Sequence, residues 1–459
     1  MSQFSFAFPK PGTKKLLLGA TLGALLGITA LLASLLVFVI PMVQKPLLDA
    51  FIREKLGHDP ATWGGTPWTY AIALFVAGIV MFTFAAIASG IFSWYERKVA
   101  ARMQSRIGPN RVGAAGFLQW LADAVKLLFK EDLVPGEADA LVFRSAPYFL
   151  VVGMVLVMVA LPAGQAIVVA DLDVGIFYIL AVTAFIVVGT ILSGWSSNSK
   201  WSLFGAIRAT AQISSYEIPA GLAIMVPVLM AGTLSTQGLI QAQGGWPWEW
   251  FFFRNPAAAV AFVILFISQL AEGNRTPFDL AEAESELVAG YFSEYSGFRY
   301  ALYFMVEWAN LWIIGAVATT LFLGGWQIPG VTTQTWAAAR GSGPFPAFGW
   351  WALQYVSLGV FALKTLFLVN VIIWIRWTLP RIRIDQMMTL CWKYLVPAGF
   401  AALVFTLLWQ MIATWFPVVE RITALAVLAA TLFVTWRFLV QTRKNVSLIA
   451  HERVDLSNW

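Results

Sequence analysis

Ten apolar segments, each long enough to cross a lipid bilayer, recur along the chain and limit the folds that it can adopt. A membrane-spanning helix needs about 20 consecutive apolar residues. The segments lack the alternation of apolar and polar residues that is typical of strands in outer-membrane β-barrels. The sequence therefore predicts an all-α fold, a polytopic transmembrane helical bundle of about ten spans. The predicted spans are 14–41, 67–94, 146–167, 176–194, 214–233, 256–272, 298–323, 350–376, 392–415 and 422–440.

The distribution of charge agrees with a membrane location and predicts an orientation. Asp, Glu, Lys and Arg make up 12% of the chain, whereas soluble domains have about 25%. With the N-terminus on the cytoplasmic side, 23 of the 30 Lys and Arg fall on that side, six fall outside, and Lys364 lies within a span. Basic residues concentrate on the cytoplasmic side of membrane proteins. We therefore expect both termini in the cytoplasm, and we attribute the net charge of +6 to this asymmetry rather than to a nucleic-acid partner.

Few residues of the chain could hold a redox cofactor. It contains one cysteine, Cys391, and two histidines, His58 and His451, which lie in loops far apart in the sequence. Iron–sulfur clusters are held by several cysteine thiolates, and structural zinc sites need four ligands. We expect no cofactor bound by this chain, so that electrons for any redox reaction must come from a partner.

Four ionisable residues lie inside or at the end of predicted spans: Glu217, Glu272, Glu307 and Lys364. A charge at the bilayer centre costs about 2.5–3.5 kcal/mol on insertion scales, so such residues usually serve a function. One interpretation is a proton relay along a hydrated path. The other is a set of static ion pairs with neighbouring Arg or Lys residues. Four such residues in nearby spans favour the relay.

The segment 272–307 is acidic, although cytoplasmic loops are usually basic. Seven acids accompany only two bases, Arg275 and Arg299. Carboxylates four residues apart, such as Glu282 and Glu286, share one face of a helix. Crowded carboxylates raise one another's pKa and can share protons, and a solvated acidic surface is the alternative interpretation. The acids are Glu272, Asp279, Glu282, Glu284, Glu286, Glu294 and Glu307.

The predicted cytoplasmic loop 95–145 contains an amphipathic segment. A turn around Gly108, Pro109 and Asn110 precedes apolar residues at helical spacing between 117 and 128, with Asp123 among them. This pattern predicts a helix that lies along the membrane surface. A groove between this helix and the bundle could admit a lipid-soluble molecule from the bilayer, whereas a simple interfacial anchor would show the same periodicity.

Two long stretches of the sequence resemble the NuoH family, a family of membrane subunits of NADH–quinone oxidoreductase, respiratory complex I. They are 96–132 (ERKVAARMQSRIGPNRVGAAGFLQWLADAVKLLFKED) and 270–310 (LAEGNRTPFDLAEAESELVAGYFSEYSGFRYALYFMVEWAN). Two shorter pieces, AQISSYE at 211–217 and WIRWTLPRIRIDQMMTLCWKYL at 374–395, agree with the same family. The resemblance covers about 67–415. It implies a core of eight spans there, an additional span and outer loop in 1–66, and an additional span and cytoplasmic tail in 416–459.

The resemblance also implies functions for the charged residues. The chain would be a subunit of a proton-pumping translocase of the bacterial inner membrane, with quinone as substrate. NADH, FMN and the iron–sulfur clusters would belong to partner subunits, and the terminal cluster would lie on the peripheral arm. Small membrane subunits and antiporter-like subunits would be further partners. The quinone cavity would include Glu96, Arg97, Asp123, Arg275, Asp279, Glu282, Glu284 and Glu286, and the proton relay would include Glu217, Glu272, Glu307 and Lys364.

Three alternative functions are compatible with these patterns. The chain could be the membrane subunit of a related hydrogenase or of a dehydrogenase that uses another electron donor, although the acidic loop and the RIGPNRVG run at 106–113 favour the quinone enzyme. It could be a stand-alone proton- or sodium-coupled transporter, but the sequence lacks the two similar halves with interrupted helices that many transporters have. It could also be a passive anchor, which would tolerate neutral residues in place of the four intramembrane charges.

Overall fold

The computed structural model describes residues 67–280, 284–331 and 348–451, together with positions 335, 336 and 339. The first predicted span, 14–41, and the cavity candidate Glu282 lie outside the described residues. No β-strand occurs in the part of the chain that is described, which confirms the all-α prediction.

The described part of the chain contains fourteen α-helices that we number in chain order. They are α1 (Pro67–Met103), α2 (Gln119–Phe129), α3 (Ala140–Val159), α4 (Gly175–Ser196), α5 (Lys200–Ala231), α6 (Thr236–Gln241), α7 (Phe251–Arg254), α8 (Pro256–Glu272), α9 (Glu284–Leu287), α10 (Gly297–Phe322), α11 (Phe348–Thr378), α12 (Ile384–Thr389), α13 (Val396–Trp415) and α14 (Pro417–His451). A π-helix, Leu390–Leu395, joins α12 to α13, so that these elements form one continuous rod.

Eight helical segments are long and apolar enough to cross a membrane, if α12, the π-helix and α13 are counted as one. Helix α8 is a shorter apolar helix of 17 residues. Together they account for the nine predicted spans that fall on described residues. The chain is therefore a multi-pass membrane protein. Among the spans, α10 is the most enclosed, with 72% of its apolar window buried, whereas only 6% of the window of α14 is buried. We therefore place α10 at the centre of the bundle and α14 at its edge.

Helix α5 begins at Lys200, well before the predicted span 214–233. Its first half is more polar because it packs against the acidic segment instead of lipid. The Ser202 hydroxyl donates a hydrogen bond to the Tyr291 carbonyl at 3.0 Å. A Cβ atom on Gly205 would lie only 2.8 Å from the backbone of Gly290, so this close approach requires glycine.

The predicted surface helix is present as α2, which contacts α1 and α10. Its apolar residues Leu121, Val125 and Leu128 are exposed in the isolated chain. Trp120 instead points inward and covers Gly90 of α1, where an added Cβ would lie 2.5 Å from the indole ring. The helix is therefore attached through one aromatic side and leaves an apolar side for lipid or for another subunit.

Candidate functional site

Two glutamates and two arginines from separate parts of the fold form a buried network, which we call the four-charge cluster. Arg275 lies 3.5 Å from Glu96 of α1 and 3.2 Å from Glu307 of α10. Arg376, near the end of α11, lies 2.8 Å from Glu96 and 3.8 Å from Glu307. Each arginine thus bridges both carboxylates, and the cluster joins three helices to the loop after α8.

The interior of the cluster is almost closed to solvent. The side chain of Arg275 is 1% exposed and that of Glu96 is 2% exposed, whereas Glu307 and Arg376 keep 18% and 23%. The Arg275 guanidinium also lies 4.8 Å from the ring centre of Trp308. Two positive and two negative charges balance, as buried ionic groups require. Any event that adds or removes one charge there must disturb this balance.

The loop that carries Arg275 is fixed by backbone bonds and by one glutamine. The Arg275 amide donates to the Leu270 carbonyl at 3.1 Å, and the Phe278 amide donates to the Arg275 carbonyl at 2.8 Å. The buried Gln212 amide of α5 donates to the carbonyls of Ala271 and Phe278, at 2.7 Å each. The position of the guanidinium is therefore set by α5 and α8 together.

Adjacent residues of α1 serve different parts of the site. Glu96 points into the four-charge cluster, whereas Arg97 donates a 2.8 Å hydrogen bond to Asp123 of α2. Successive residues of a helix point about 100° apart, which explains the division. Partial burial of Asp123 opposes its ionisation, but the Arg97 and Gln119 hydrogen bonds and the Lys126 charge outweigh this effect and lower its pKa. This ion pair fastens the surface helix to the bundle.

Two acids of the acidic segment are paired with bases, one from α5 and one from the connection between α11 and α12. Arg208 of α5 lies 2.6 Å from Glu286, and Arg381 lies 3.9 Å from Asp279. The hydrogen bond from Arg208 lowers the pKa of Glu286, so the expectation that crowding raises it is wrong at this residue. An arginine that the sequence places far away supplies the compensating charge. Glu284 begins the short helix α9.

A second group of predicted relay residues lies beside the cluster. Glu272 lines a cavity of about 60 Å³ between α3, α4, α5, α8 and α10, with Thr183 and Asn310 among its other lining residues. The Thr183 hydroxyl donates to Glu217 at 3.4 Å. Thr183 and Glu272 line the same cavity, so the hydrogen bond of Thr183 brings Glu217 to its edge, and the charge of Glu217 acts on Glu272. Glu217 and Glu272 have no ion-pair partner among the described residues, unlike Glu96 and Glu307.

Lys364 does not join the predicted relay acids. Its ammonium group donates hydrogen bonds to the carbonyls of Leu323 at 2.7 Å and Gly325 at 3.0 Å, beyond the C-terminus of α10. It also lies 4.4 Å from the ring centre of Trp250. Leu323 follows Glu307 by 16 residues, or about 24 Å along a helix. The structure therefore separates Lys364 from the four-charge cluster along the length of α10.

Sequence reasoning missed Arg376 as a functional residue, together with Trp308 and Arg208. Arg376 ends an apolar span and therefore resembles an ordinary interfacial anchor. Its place within the family-like stretch 374–395 was the signal that could have identified it. Among the described residues, no group of three or more His, Cys, Asp or Glu side chains is arranged to hold a metal ion.

Comparisons with known proteins agree with one family. The family model described as NADH dehydrogenase matches residues 75–407. The chain is 58% identical to the H subunit of NADH-quinone oxidoreductase from Anaeromyxobacter dehalogenans over 415 residues, which cover 90% of this chain and 100% of that protein. It is 41% identical to the H subunit from Chlorobium luteolum over 387 residues, 81% of this chain and 98% of the relative.

A relative with another subunit name gives the same result. NADH-quinone oxidoreductase subunit 8 of Rhodothermus marinus is 42% identical over 338 residues, 73% of this chain and 94% of that protein. The match to the family model contains all members of the four-charge cluster and of the cavity beside it. The chain therefore belongs to the NADH dehydrogenase family, as a membrane subunit of NADH-quinone oxidoreductase of the NuoH type.

Proposed function

We propose that this subunit forms part of the quinone-binding cavity and couples quinone reduction to proton translocation. The observation that carries the proposal is the four-charge cluster, an alternating network of two arginines and two glutamates that is buried inside a membrane bundle. A purely structural contact of this kind is weak support for stability, because apolar residues can often replace buried ion pairs without loss. A function in handling charge explains its presence better.

The charged groups around the cluster are suited to respond to quinone chemistry. A quinone that gains two electrons also takes up two protons, so reduction changes the charge of its surroundings. Asp279, paired with Arg381, and Glu286, paired with Arg208, would line the cavity together with Glu282 and Glu284. Asp279 follows Arg275 by only four residues, and its charge acts on Glu307, so the acidic segment would lie within reach of the cluster. A change of charge in the cavity would therefore shift the balance among Arg275, Glu96 and Glu307.

The cluster and the neighbouring cavity are joined by short stretches of rigid chain. Arg275 follows Glu272 by three residues, and Asn310 follows Glu307 by one helical turn on α10. The cavity of about 60 Å³ is large enough to admit water. We infer that protons pass between the cluster and the Glu217–Glu272 pair through this cavity. Lys364 would hold the opposite end of α10 in place and would not carry protons.

The substrate and the partners follow from the same proposal. Quinone would enter from the bilayer beside α2, which the Arg97–Asp123 pair holds against α1. Electrons would come from NADH through FMN and iron–sulfur clusters on partner subunits, the last of them on the peripheral arm. Protons would continue into small and antiporter-like membrane subunits. The complex would lie in a bacterial inner membrane, with both termini of this chain in the cytoplasm.

Neutral substitutions of the relay acids test the proposal. Glu217→Gln and Glu307→Gln should each reduce quinone-linked NADH oxidation while the complex still assembles, because glutamine keeps the shape but cannot release a proton. The matched control is Glu294→Gln, which changes an exposed acid of the same acidic segment. Assembly is checked on native gels, and turnover is measured with added quinone. Wild-type turnover in both relay variants would remove the basis of the relay.

A further inference from the structure

A groove at the edge of the bundle, remote in sequence from the four-charge cluster, has the size and chemistry of a lipid site. It lies between α14 and the connection 242–255, at the end of the bundle that the basic-residue distribution predicts to face outward. Its volume is about 640 Å³, which falls within the usual range of ligand pockets. Its polar lining residues are Glu249, Arg254, Glu420 and Arg421. We call it the α14 groove.

Two of the four charges in the groove neutralise each other. Arg254 of α7 donates a 2.7 Å hydrogen bond from its Nε to Glu420 of α14, and a second guanidinium nitrogen lies 2.6 Å from the same carboxylate. This pair attaches α14 to the connection. It leaves Arg421 and Glu249 as the charges that a ligand in the groove would meet.

The two remaining charges are opposite in sign and each is available. Arg421 is exposed and has no acidic partner in the described part of the chain. Glu249 accepts the Trp246 amide through Oε2 at 3.1 Å, which leaves its other oxygen for a second donor. An arginine fork suits a phosphate, and a carboxylate suits a primary ammonium group. A ligand with both a phosphate and a primary ammonium group could pair with both side chains, and the ligand itself would carry no net charge.

The apolar lining residues of the groove, Trp248, Ala424 and Leu425, and the residues beside them match the boundary between headgroups and acyl chains. Trp246 and Trp248 are stacked with ring centres 4.9 Å apart and are both partly exposed, and tryptophan is enriched at membrane interfaces. Leu425 and Leu432 are exposed and lie four and eleven residues after Arg421, on the same face of α14. An acyl chain attached to a phosphate at Arg421 would run along this face into the bilayer.

We propose that the α14 groove binds the headgroup of a zwitterionic phospholipid with a primary ammonium group, of the phosphatidylethanolamine class. The phosphate lies at Arg421, the ammonium group lies at Glu249, and the acyl chains follow α14. The lipid thereby fills the gap between the bundle and a helix that lies beyond the residues matched by the family model. The site is independent of the quinone chemistry proposed above.

Photochemical cross-linking on the assembled complex tests this assignment. The complex is placed in phosphatidylcholine nanodiscs that contain a small fraction of phosphatidylethanolamine with a diazirine on its acyl chain. Illumination should label peptides that contain Ala424 and Leu425. Unlabelled phosphatidylethanolamine should compete for this labelling, whereas equal amounts of phosphatidylglycerol or of water-soluble glycerophosphoethanolamine should not.

Three variants of this chain sharpen the test. Arg421→Ala should reduce labelling about tenfold, as expected for the loss of a charge-assisted contact. Arg437→Ala is the matched control, because Arg437 is also exposed on α14 but lies 16 residues further along, and it should label like wild type. Glu249→Gln should remove the preference for phosphatidylethanolamine over phosphatidylcholine, while its amide oxygen still accepts the Trp246 amide.

Each other outcome overturns the proposal in a defined way. Equal labelling of Arg421→Ala and wild type would mean that the groove holds only unspecific boundary lipid. Competition by phosphatidylglycerol at least as strong as that by phosphatidylethanolamine would assign the site to anionic lipids. Competition by glycerophosphoethanolamine would assign it to a soluble ligand.

Discussion

Replacement of Arg275 by methionine should destabilise the complex far more than the loss of any surface ion pair. Arg275 is the most buried member of the four-charge cluster and contacts both of its glutamates. It also donates a 2.9 Å hydrogen bond to the Glu307 carbonyl. In Arg275→Met, the cluster would hold two carboxylates against the single positive charge of Arg376.

The size of the effect follows from the unbalanced charge. Removal of one partner of a buried ion pair costs about 3–5 kcal/mol, because the remaining charge loses its compensation. This corresponds to more than a hundredfold change in the equilibrium between folded and unfolded protein, at about 1.4 kcal/mol for each factor of ten. Arg299→Met is the control, since the pair of Arg299 with Asp132 at 2.9 Å is more open to solvent, with Asp132 35% exposed. Such pairs contribute about 0–1 kcal/mol.

A second substitution separates stability from function. The double variant Arg275→Met, Glu307→Gln again balances one glutamate against one arginine, so it should regain most of the lost stability. It should still fail to couple quinone reduction to proton transport, because Glu307 can no longer exchange a proton. Stability is measured as the temperature at which the complex loses its NADH-oxidising arm on native gels. Coupling is measured as acidification of proteoliposomes.

Two results would refute this reasoning. If Arg275→Met and Arg299→Met lost stability equally, burial and charge balance would not govern the cluster. If the double variant transported protons like wild type, the cluster would be a structural contact and the relay would have to follow another route.

Three further predictions concern the surface helix and α10. Gly90→Val should displace Trp120 and loosen α2. The loop before α2 should then be cleaved faster by proteases, and the apparent KM for quinone should rise. Gly78→Val, with open space around it, should change neither. Lys364→Met should lower the thermal stability of the complex without altering the pH profile of turnover, since its ammonium group only fixes the end of α10. The lowered pKa of Asp123 means that its pairing stabilises α2 above the usual carboxyl pKa of about 3.9 and is lost as the pH falls through the lowered value. An environment-sensitive dye on α2 should therefore report release at low pH in wild type and already at neutral pH in Asp123→Asn.

The helices that face lipid could be predicted from the sequence because lipid imposes a single requirement, continuous apolarity. The half of α5 before residue 214 could not be predicted in this way, because it packs against the polar loop through Ser202 and Gln212. Hydropathy measures contact with lipid and does not report a helix that is buried against another part of the same protein. The start of α5 at Lys200 therefore depends on tertiary contacts that no local pattern contains.

The acids of the candidate site could be predicted from the sequence more readily than its bases. Glu307 and Glu272 stand out because a carboxylate in an apolar run has few structural explanations. Arg376 does not, because arginine is common at the ends of spans, where its long side chain can reach water. The position of Lys364 shows the same limit. Its position within the predicted span 350–376 suggests a place inside the bilayer, but its flexible side chain reaches the carbonyl of Leu323, just beyond the end of α10.

The π-helix at Leu390–Leu395 has a consequence for how this rod tolerates changes in length. On one side of it, the Tyr216 hydroxyl donates to the Met387 carbonyl at 2.9 Å; within it, the Cys391 thiol donates to the Ser215 carbonyl at 3.2 Å. The α5 partners of these hydrogen bonds, Tyr216 and Ser215, lie next to Glu217. The bonds therefore fix the position of the π-helix along α5. Deletion of one residue within the π-helix would let the wide turn close to an ordinary α-helical turn, with little rotation beyond it. Deletion of one residue between the π-helix and Gly399 would instead rotate everything beyond it by about 100°. Gly399, which packs on Leu222 of α5, would then point in another direction. Helix α13 would lose its packing against α5 along its whole length.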